Sequence, residues 1–163
     1  MREWVLLVGI KTQEVQVFKN KVWVCSYPVS TSKNGVGQEE NTGKTPLGLH
    51  DIATKIGGGA DPDAIFESRV LTGAKGKAED EKAHIVARIL WLKGLEKGYN
   101  LGWNDQRVVV DTEARYIYFH GTMHTHFIEQ KIASSVGCIR MKSDDVIELY
   151  DRVPEGALVY IYC

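Results

Sequence analysis

The chain has 163 residues, 44% of them hydrophobic and 25% charged, a composition that is ordinary for a globular domain and argues against disorder. Its 20 lysines and arginines balance 21 aspartates and glutamates, which excludes the strong positive charge that nucleic-acid binding needs. A chain of this length can bury one core, so we expect a single domain over residues 1–163.

Short strands are the first elements predicted along the chain. β-Branched and aromatic runs cover Val5–Ile10, Val15–Phe18 and Val22–Val24, with polar breaks between them. The glycines and turn formers of Thr31–Pro46 then predict a long loop. A fourth strand is expected over Leu47–Ile56, where three successive glycines end it.

Residues 57–83 have the weakest pattern in the chain, because charges accumulate there without an apolar period. We predict an insertion or a mobile flap rather than a part of the core. Strands are expected again over His84–Lys93, Val108–Val110 and Arg115–His120. His50 and His84 lie in such patterns and are predicted to be half-buried or surface side chains.

One helix is predicted near the end of the chain. Ser143, followed by two aspartates, is typical of a helix N-cap. Four apolar residues then fall on one helical face: Val146, Ile147, Tyr150 and Val153. A turn leads to the last strand, Ala157–Tyr162.

Three cysteines at wide spacing predict neither a disulfide framework nor a paired zinc site. Cys25 lies in a strand pattern and is expected to be an inert core residue, and Cys163 an exposed one. Cys138 differs, because it follows Gly137 and precedes the predicted helix. Glycine admits close approach of a substrate, and free N–H groups beside the thiol can receive an oxyanion.

A cysteine with an ordinary pKa needs a base at neutral pH, and His120 is the candidate. It ends an apolar strand and precedes Gly121, so its ring is expected to project from a rigid strand end. An alternative is a zinc site that joins His120, His124 and His126 to Cys138, but this spacing matches no common zinc signature. Ser134 and Ser135 lack a nucleophile-elbow motif and are expected to hydrogen-bond the turn.

These residues carry a resemblance to a known family. His120-Gly121-Thr122, with Ser135-x-Gly137-Cys138-Ile139-Arg140-Met141 downstream, resembles the HGT…SHGCIRM signature of the L,D-transpeptidase (YkuD) catalytic domain. Thr45-Pro46-Leu47-Gly48 is similar to the TPxG segment of that family. The resemblance implies a mainly β fold, a curved sheet sandwich or partly closed barrel, with one helix after the catalytic cysteine.

For the site, the resemblance implies that Cys138 is the acylated nucleophile and His120 its base. The N–H groups of Gly137 and Cys138 would form the oxyanion hole, and a main-chain carbonyl would orient the imidazole. Arg140 would steady the loop or bind a substrate carboxylate. The remaining motif positions, Ser135, Gly121 and Thr122, are assigned to substrate binding, and no cofactor or metal is implied.

Two departures from the family pattern bear on substrate preference. Val136 stands where many members have a histidine, and residues 128–133 lack the usual glycine and proline. The nucleophile and base are nevertheless both kept. A specialised or weakened enzyme is therefore one expectation from the sequence.

The implied reaction is acyl transfer on peptidoglycan stem tetrapeptides, with a thioester at Cys138, release of terminal D-alanine and inhibition by carbapenems. Two alternatives stay open: an L,D-carboxypeptidase that uses water as acceptor, and a non-catalytic peptidoglycan-binding relative. The family implies the periplasm or cell wall. The first apolar run, Val5–Ile10, is too short for a membrane span, and no signal peptide is visible.

Overall fold

The chain folds around one curved sheet; the structure is a computed structural model that describes residues 2–163. The strands are β1 (Trp4–Gly9), β2 (Glu14–Lys19), β3 (Val22–Pro28), β4 (Gly48–Ile56), β5 (Ala64–Glu67), β6 (Val70–Lys75), β7 (Ile85–Gly94), β8 (Tyr118–Thr122), β9 (Ile139–Lys142) and β10 (Leu158–Tyr162). Two helices are described, the short α1 (His126–Glu129) and α2 (Ser143–Arg152). The predicted mainly β fold is confirmed.

The sheet branches at β7. Its main path runs β3-β2-β1-β10-β4-β7-β5-β6, and β8 pairs with β7 and β9 off this path. Because β7 has neighbours on several sides, most of its residues are buried. Past the end of β3, Ser30 and Arg140 exchange two main-chain hydrogen bonds of 2.9 Å. This isolated bridge closes the curved sheet only partly, and it anchors β9 at the open side.

The main core lies between the sheet and α2. Fully buried side chains come from the first, middle and last strands: Leu6, Val8, Val17, Leu90, Phe119, Ile139, Met141 and Val159. Helix α2 adds Val146 and Leu149, which are spaced to share its buried face. The predicted cap is wrong, because Lys142 is the N-cap residue and Ser143 Oγ contacts Met123 Sδ at 3.8 Å.

Residues 57–83 are more ordered than predicted. They form the β5–β6 hairpin, and Ile65 and Phe66 of β5 are buried. The expectation that this segment lies outside the core is therefore wrong for β5, which pairs with β7 at Val86 and Ile85. All six residues of β6 are exposed. An insertion or flap remains a prediction.

Three further predictions are corrected. Strand β8 begins at Tyr118 rather than Arg115, because the Arg115 guanidinium turns back to donate to three carbonyls of the 37–44 loop. Residues 108–110 form only an isolated bridge, between Val109 and Trp103. His50 is fully buried rather than half-buried, and its ring contacts Gly48 O and Thr112 Oγ1.

Candidate active site

Two parallel strands, β8 and β9, bring the predicted cysteine and histidine to one face of the sheet. Phe119 lies opposite Ile139, and both point into the main core. Alternation therefore turns Tyr118 and His120 to the other face. Cys138, directly before β9, packs with Tyr118 there in a second apolar cluster. Thiol and imidazole thus lie on adjacent strands and on the same side.

The thiol of Cys138 is half-buried and held by main-chain groups. Sγ accepts a hydrogen bond from Tyr118 N–H and donates one to Tyr116 O, each at 3.4 Å. Burial raises the pKa of Cys138 to about 11, although the Tyr118 N–H and the charges of Arg140 and Arg115 act to lower it. The thiol is therefore protonated at neutral pH and needs a base to become a nucleophile.

His120 has the properties of that base. Its Nδ1 donates to Gly121 O at 2.8 Å, which leaves Nε2 as the unprotonated acceptor nitrogen. The predicted orienting carbonyl is therefore present. The pKa of His120 is lowered to about 4, mainly by burial; the hydrogen bond to Gly121 O acts to raise it and the nearby Arg140 charge acts to lower it. The imidazole is neutral at pH 7.

Within residues 2–163, no hydrogen bond joins His120 to Cys138, whose thiol is instead turned toward Tyr116 O. The resting pair is thus a neutral thiol and a neutral imidazole rather than an ion pair. Proton transfer requires the thiol to rotate from the Tyr116 carbonyl toward His120 Nε2.

A bulge in β7 supports the imidazole from behind. The register between β7 and β8 shifts between Val86 and Ile89, and the buried Ala87 has φ +70°. Val86 pairs with Gly121, where a Cβ would lie 2.6 Å from Val86 O. Only glycine fits at position 121 against β7. The carbonyl of Gly121 is the group that accepts the hydrogen bond from His120 Nδ1.

Gly121 and Thr122 are both buried in β8, so the structure places them behind the imidazole rather than on a substrate surface. Thr122 Oγ1 accepts the N–H of His124 at 3.1 Å and holds the chain after β8. Their burial favours a positioning role, and the assignment of these two residues to substrate binding stays a prediction.

The turn before Cys138 is fixed by Ser135 and Gly137. The buried Ser135 Oγ donates to Cys138 O at 2.6 Å and accepts Gly137 N–H at 3.2 Å. Gly137 has φ +133°, a conformation that favours glycine. Ser135 therefore positions the turn, as its hydroxyl alone predicts, and its assignment to substrate binding stays a prediction.

The two N–H groups of the predicted oxyanion hole differ in their hydrogen bonding. The N–H of Gly137 is engaged by Ser135, whereas the N–H of Cys138 has no acceptor among residues 2–163. The N–H of Cys138 is therefore the donor available to an oxyanion. Arg140 contacts the loop, because its Nη1 donates to Ser134 O and Oγ, at 3.1 and 3.2 Å. Its other predicted role, binding of a substrate carboxylate, stays a prediction.

Comparison with known proteins bears on this geometry. Residues 3–161 match the family model of the L,D-transpeptidase catalytic domain, YkuD. The chain belongs to this family. A comparison with curated proteins gave no match.

Solved L,D-transpeptidases share the fold of this family member. One from Mycobacterium smegmatis has 17% identity and a TM-score of 0.59, covering 99% of this chain and 59% of its own. L,D-transpeptidase 3 from Mycobacterium tuberculosis, with a faropenem-derived adduct, has 14% identity and a TM-score of 0.59, covering 99% and 60%. A third, solved in complex with imipenem, has 15% identity and a TM-score of 0.56, covering 98% and 59%. This chain therefore spans about three fifths of their length.

A cleft of this L,D-transpeptidase domain borders Tyr116, whose carbonyl contacts the Cys138 thiol, but Cys138 and His120 are not among the residues that line it. It has a volume of about 350 Å³, and its walls include Glu40, Asn41, Tyr116 and Val136. Val136, at the position of the family histidine, is 64% exposed, so an apolar side chain borders the cleft there. A separate cavity of about 360 Å³ lies on the other side of the 37–44 loop and does not include Cys138 or His120.

Sequence analysis missed several residues that build this site. Thr45 is buried, and its Oγ1 donates to Gly137 O at 2.9 Å and accepts Ser32 N–H at 3.0 Å. The TPLG match marked this position without giving its role. Tyr116 and Tyr118 were known only as strand residues, although their main-chain groups hold the thiol.

The zinc alternative finds no geometric support in the described part of the chain. No three His, Cys, Asp or Glu side chains lie close enough there to hold a metal ion. His124 Nε2 instead contacts Asp80 O at 2.7 Å, and the His126 ring packs on Phe127. Within residues 2–163, neither helix is long and apolar enough to cross a membrane.

Proposed function

We propose that this protein is a cysteine-dependent acyltransferase that acts on the stem tetrapeptides of peptidoglycan. The carrying observation is the pair of Cys138 and His120 on one face of β8 and β9, with the imidazole held neutral and its Nε2 available. Membership of the L,D-transpeptidase family supports the substrate class.

In the first half-reaction, Cys138 Sγ attacks the carbonyl carbon of the third stem residue. The thiol proton passes to His120 Nε2, and the resulting oxyanion accepts a hydrogen bond from Cys138 N–H. Collapse of the tetrahedral intermediate breaks the amide C–N bond to the terminal D-alanine. The imidazolium returns its proton to the leaving amine, and a thioester remains on Cys138.

In the second half-reaction, the amine of an acceptor attacks the thioester carbonyl. His120 takes a proton from that nitrogen, the C–S bond breaks, and the sulfur is reprotonated as the new amide forms. Water in place of the amine would give L,D-carboxypeptidase activity by the same steps. Chromatography of the products from a purified tetrapeptide separates cross-linked dimer from tripeptide.

Imipenem tests the proposal, because an acylating β-lactam needs only the first half-reaction. After incubation, intact mass spectrometry is expected to show one added imipenem, mapped by peptide analysis to Cys138. Cys138→Ala should remove the adduct while Cys25→Ala, a matched control at a thiol packed on the core, keeps it. An unmodified wild-type protein would favour a non-catalytic binding relative, and an adduct on Cys25 would move the nucleophile.

We also propose that the protein works in the periplasm or cell wall, where its proposed substrate lies. Fractionation of cells that make the native gene product measures this directly. Recovery with cytoplasmic markers alone would contradict it.

A further inference from the structure

The tip of the β5–β6 hairpin has an unusual backbone. Glu67 pairs with Val70, so Ser68 and Arg69 form a two-residue turn with φ of +46° and +66°. Such turns favour asparagine and glycine, because other side chains are strained at positive φ. Two ordinary residues in this conformation point to a functional reason for the side chain that the turn presents.

The Arg69 side chain lies on an aromatic surface. Its guanidinium carbon is 5.1 Å from the Trp91 ring centre and 4.9 Å from that of Tyr116. Its Nη1 donates to Tyr118 Oη at 3.2 Å. A guanidinium that stacks through its face keeps its N–H groups along the edge. Among residues 2–163, Tyr118 Oη is the one hydrogen-bond acceptor of that edge.

This aromatic surface adjoins the candidate nucleophile. Tyr116 O and Tyr118 N–H are the two groups in hydrogen-bond contact with Cys138 Sγ. Phe66, on the same hairpin as Arg69, packs in one cluster with Tyr118 and Cys138. The hairpin therefore brings a positive charge onto the aromatic surface that packs beside the candidate nucleophile.

Two arginines, Arg115 and Arg140, have charges that act on the thiol, and Arg69 lies on the adjoining aromatic surface; the donors of the three are used differently. Arg115 gives its donors to Gly37 O, Gln38 O and Lys44 O. Arg140 bonds the Ser134 main chain and hydroxyl. Arg115 and Arg140 are thus each anchored to a loop, although the Nε of Arg140 is buried without a partner within residues 2–163. Arg69 is half-buried at a hairpin tip with most of its edge free, so its guanidinium is open to an incoming anion.

We propose that Arg69 is a specificity-determining residue that binds a carboxylate of the acyl donor. This inference rests on the proposed function and extends it to substrate choice. A stem tetrapeptide offers two such groups near the scissile bond: the terminal carboxylate of the leaving D-alanine and the side-chain carboxylate of a diamino acid at the third position. A guanidinium edge recognises either one through two parallel hydrogen bonds.

The experiment compares kcat/KM on three tetrapeptides: the parent, its terminal amide and its side-chain amide. Wild-type enzyme should prefer the parent over one amide by about 10- to 100-fold, the usual effect of a hydrogen bond to a charged group. Arg69→Gln should lower kcat/KM on the parent peptide to the value for that amide, and should leave kcat/KM on the amide unchanged. The amide that wild type disfavours identifies which carboxylate Arg69 binds.

Two further variants separate recognition from structure. Arg69→Lys keeps the charge without the planar fork, so it should retain an intermediate preference. Lys75→Gln removes a cation of the same hairpin that pairs with Asp61 and Asp63, and should keep the wild-type preference. Melting temperatures show whether each variant is folded. If Arg69→Gln is poorly folded, the kcat/KM values of Arg69→Lys on the three peptides are compared with those of wild type instead.

Equal losses on all three peptides in the Arg69 variants, or an unchanged preference, would overturn the inference and leave the proposed function intact. A wild type that turns over the three peptides without preference has the same meaning. A wild type that turns over none of them would defeat the proposed function, and this inference with it.

Discussion

The β8–β9 pair and the β5–β6 hairpin meet at the same thiol, yet they differ in almost every physical property. All five residues of β8 are buried, whereas all six residues of β6 are exposed. In β8–β9 the reacting groups are fixed by hydrogen bonds to main-chain groups of β8. In the hairpin, only β5 is anchored to the sheet, through β7.

The difference suggests a division of labour. A base and a nucleophile must keep their geometry within a fraction of an ångström, which a buried parallel pair provides. A residue that selects substrates can lie on an element with few contacts, because it acts before the reaction begins. Three predictions test whether the two regions are as different as their burial indicates.

The largest effect is expected at His120. His120→Ala should slow imipenem acylation by about 10²–10⁴-fold, the usual contribution of a general base. In wild type the rate should fall as pH drops through about 4, where the imidazole becomes protonated. In the variant it should climb with pH toward about 11, as unassisted thiolate forms. Stopped-flow acylation rates over pH measure both.

His124→Ala is the matched control, because its ring contacts Asp80 O rather than the thiol. Its acylation rate should stay near that of wild type. If His124→Ala lowered the acylation rate strongly while His120→Ala kept the wild-type rate, the base would be His124.

The second prediction concerns acid stability of the buried framework. Burial lowers the pKa of both His50 and His120 to about 4 from an ordinary 6.5. Below pH 6.5 the two imidazoles are protonated in the unfolded chain but stay neutral in the folded chain until the pH reaches about 4. The free energy of unfolding is therefore highest above pH 6.5 and declines as the pH falls toward 4. Each histidine should lower the free energy of unfolding by up to about 3 kcal/mol between pH 6.5 and pH 4.

Urea unfolding between pH 7 and 5, where most carboxylates stay ionised, measures this decline. His50→Gln should be less stable at pH 7 but should show roughly half the wild-type slope with pH. A wild-type free energy of unfolding that is flat over this range would contradict the burial of both imidazoles.

The smallest effect compares one glycine from each region. Gly121→Ala places a Cβ 2.6 Å from Val86 O in a buried strand, and should cost about 2–3 kcal/mol and slow acylation. Gly73→Ala, in exposed β6 at φ +82° with no atom within 4 Å, should cost about 1 kcal/mol and leave acylation unchanged. Chemical denaturation of both variants tests the contrast. Equal costs would show that the hairpin is as constrained as β8.

Much of the fold was predictable because its signals are local. The three-strand meander and the α2 face follow from periodicities that neighbouring residues carry by themselves. Strand β5 was missed because its pattern is short and its burial depends on β7, which follows it in sequence. Arg115 was predicted to lie in a strand because its hydrogen bonds to the 37–44 loop join residues that are far apart in sequence, which a local pattern does not reveal.

The site divides in the same way. Cys138, His120 and Gly137 stand in a motif, and the structure gives each a geometry consistent with its predicted role. Whether the Ser135 hydroxyl faces substrate or the turn depends on where the carbonyl of Cys138, three positions later, lies in the folded turn. Residue types alone do not specify that position. Arg69 lies about seventy positions from Cys138 along the chain, in a segment without a motif, so only the folded hairpin connects them.

The pairing of β1 with β10 has a consequence for how the protein is made. Leu6 lies opposite Val159 in parallel, and β10 separates β1 from β4 in the sheet. During synthesis, the β1–β3 meander leaves the ribosome early but lacks its central neighbour until residues 158–162 emerge. Such a large sequence separation slows folding and leaves an open strand edge meanwhile. We therefore expect the edge of the meander to become protected only after β10 has emerged and paired with β1.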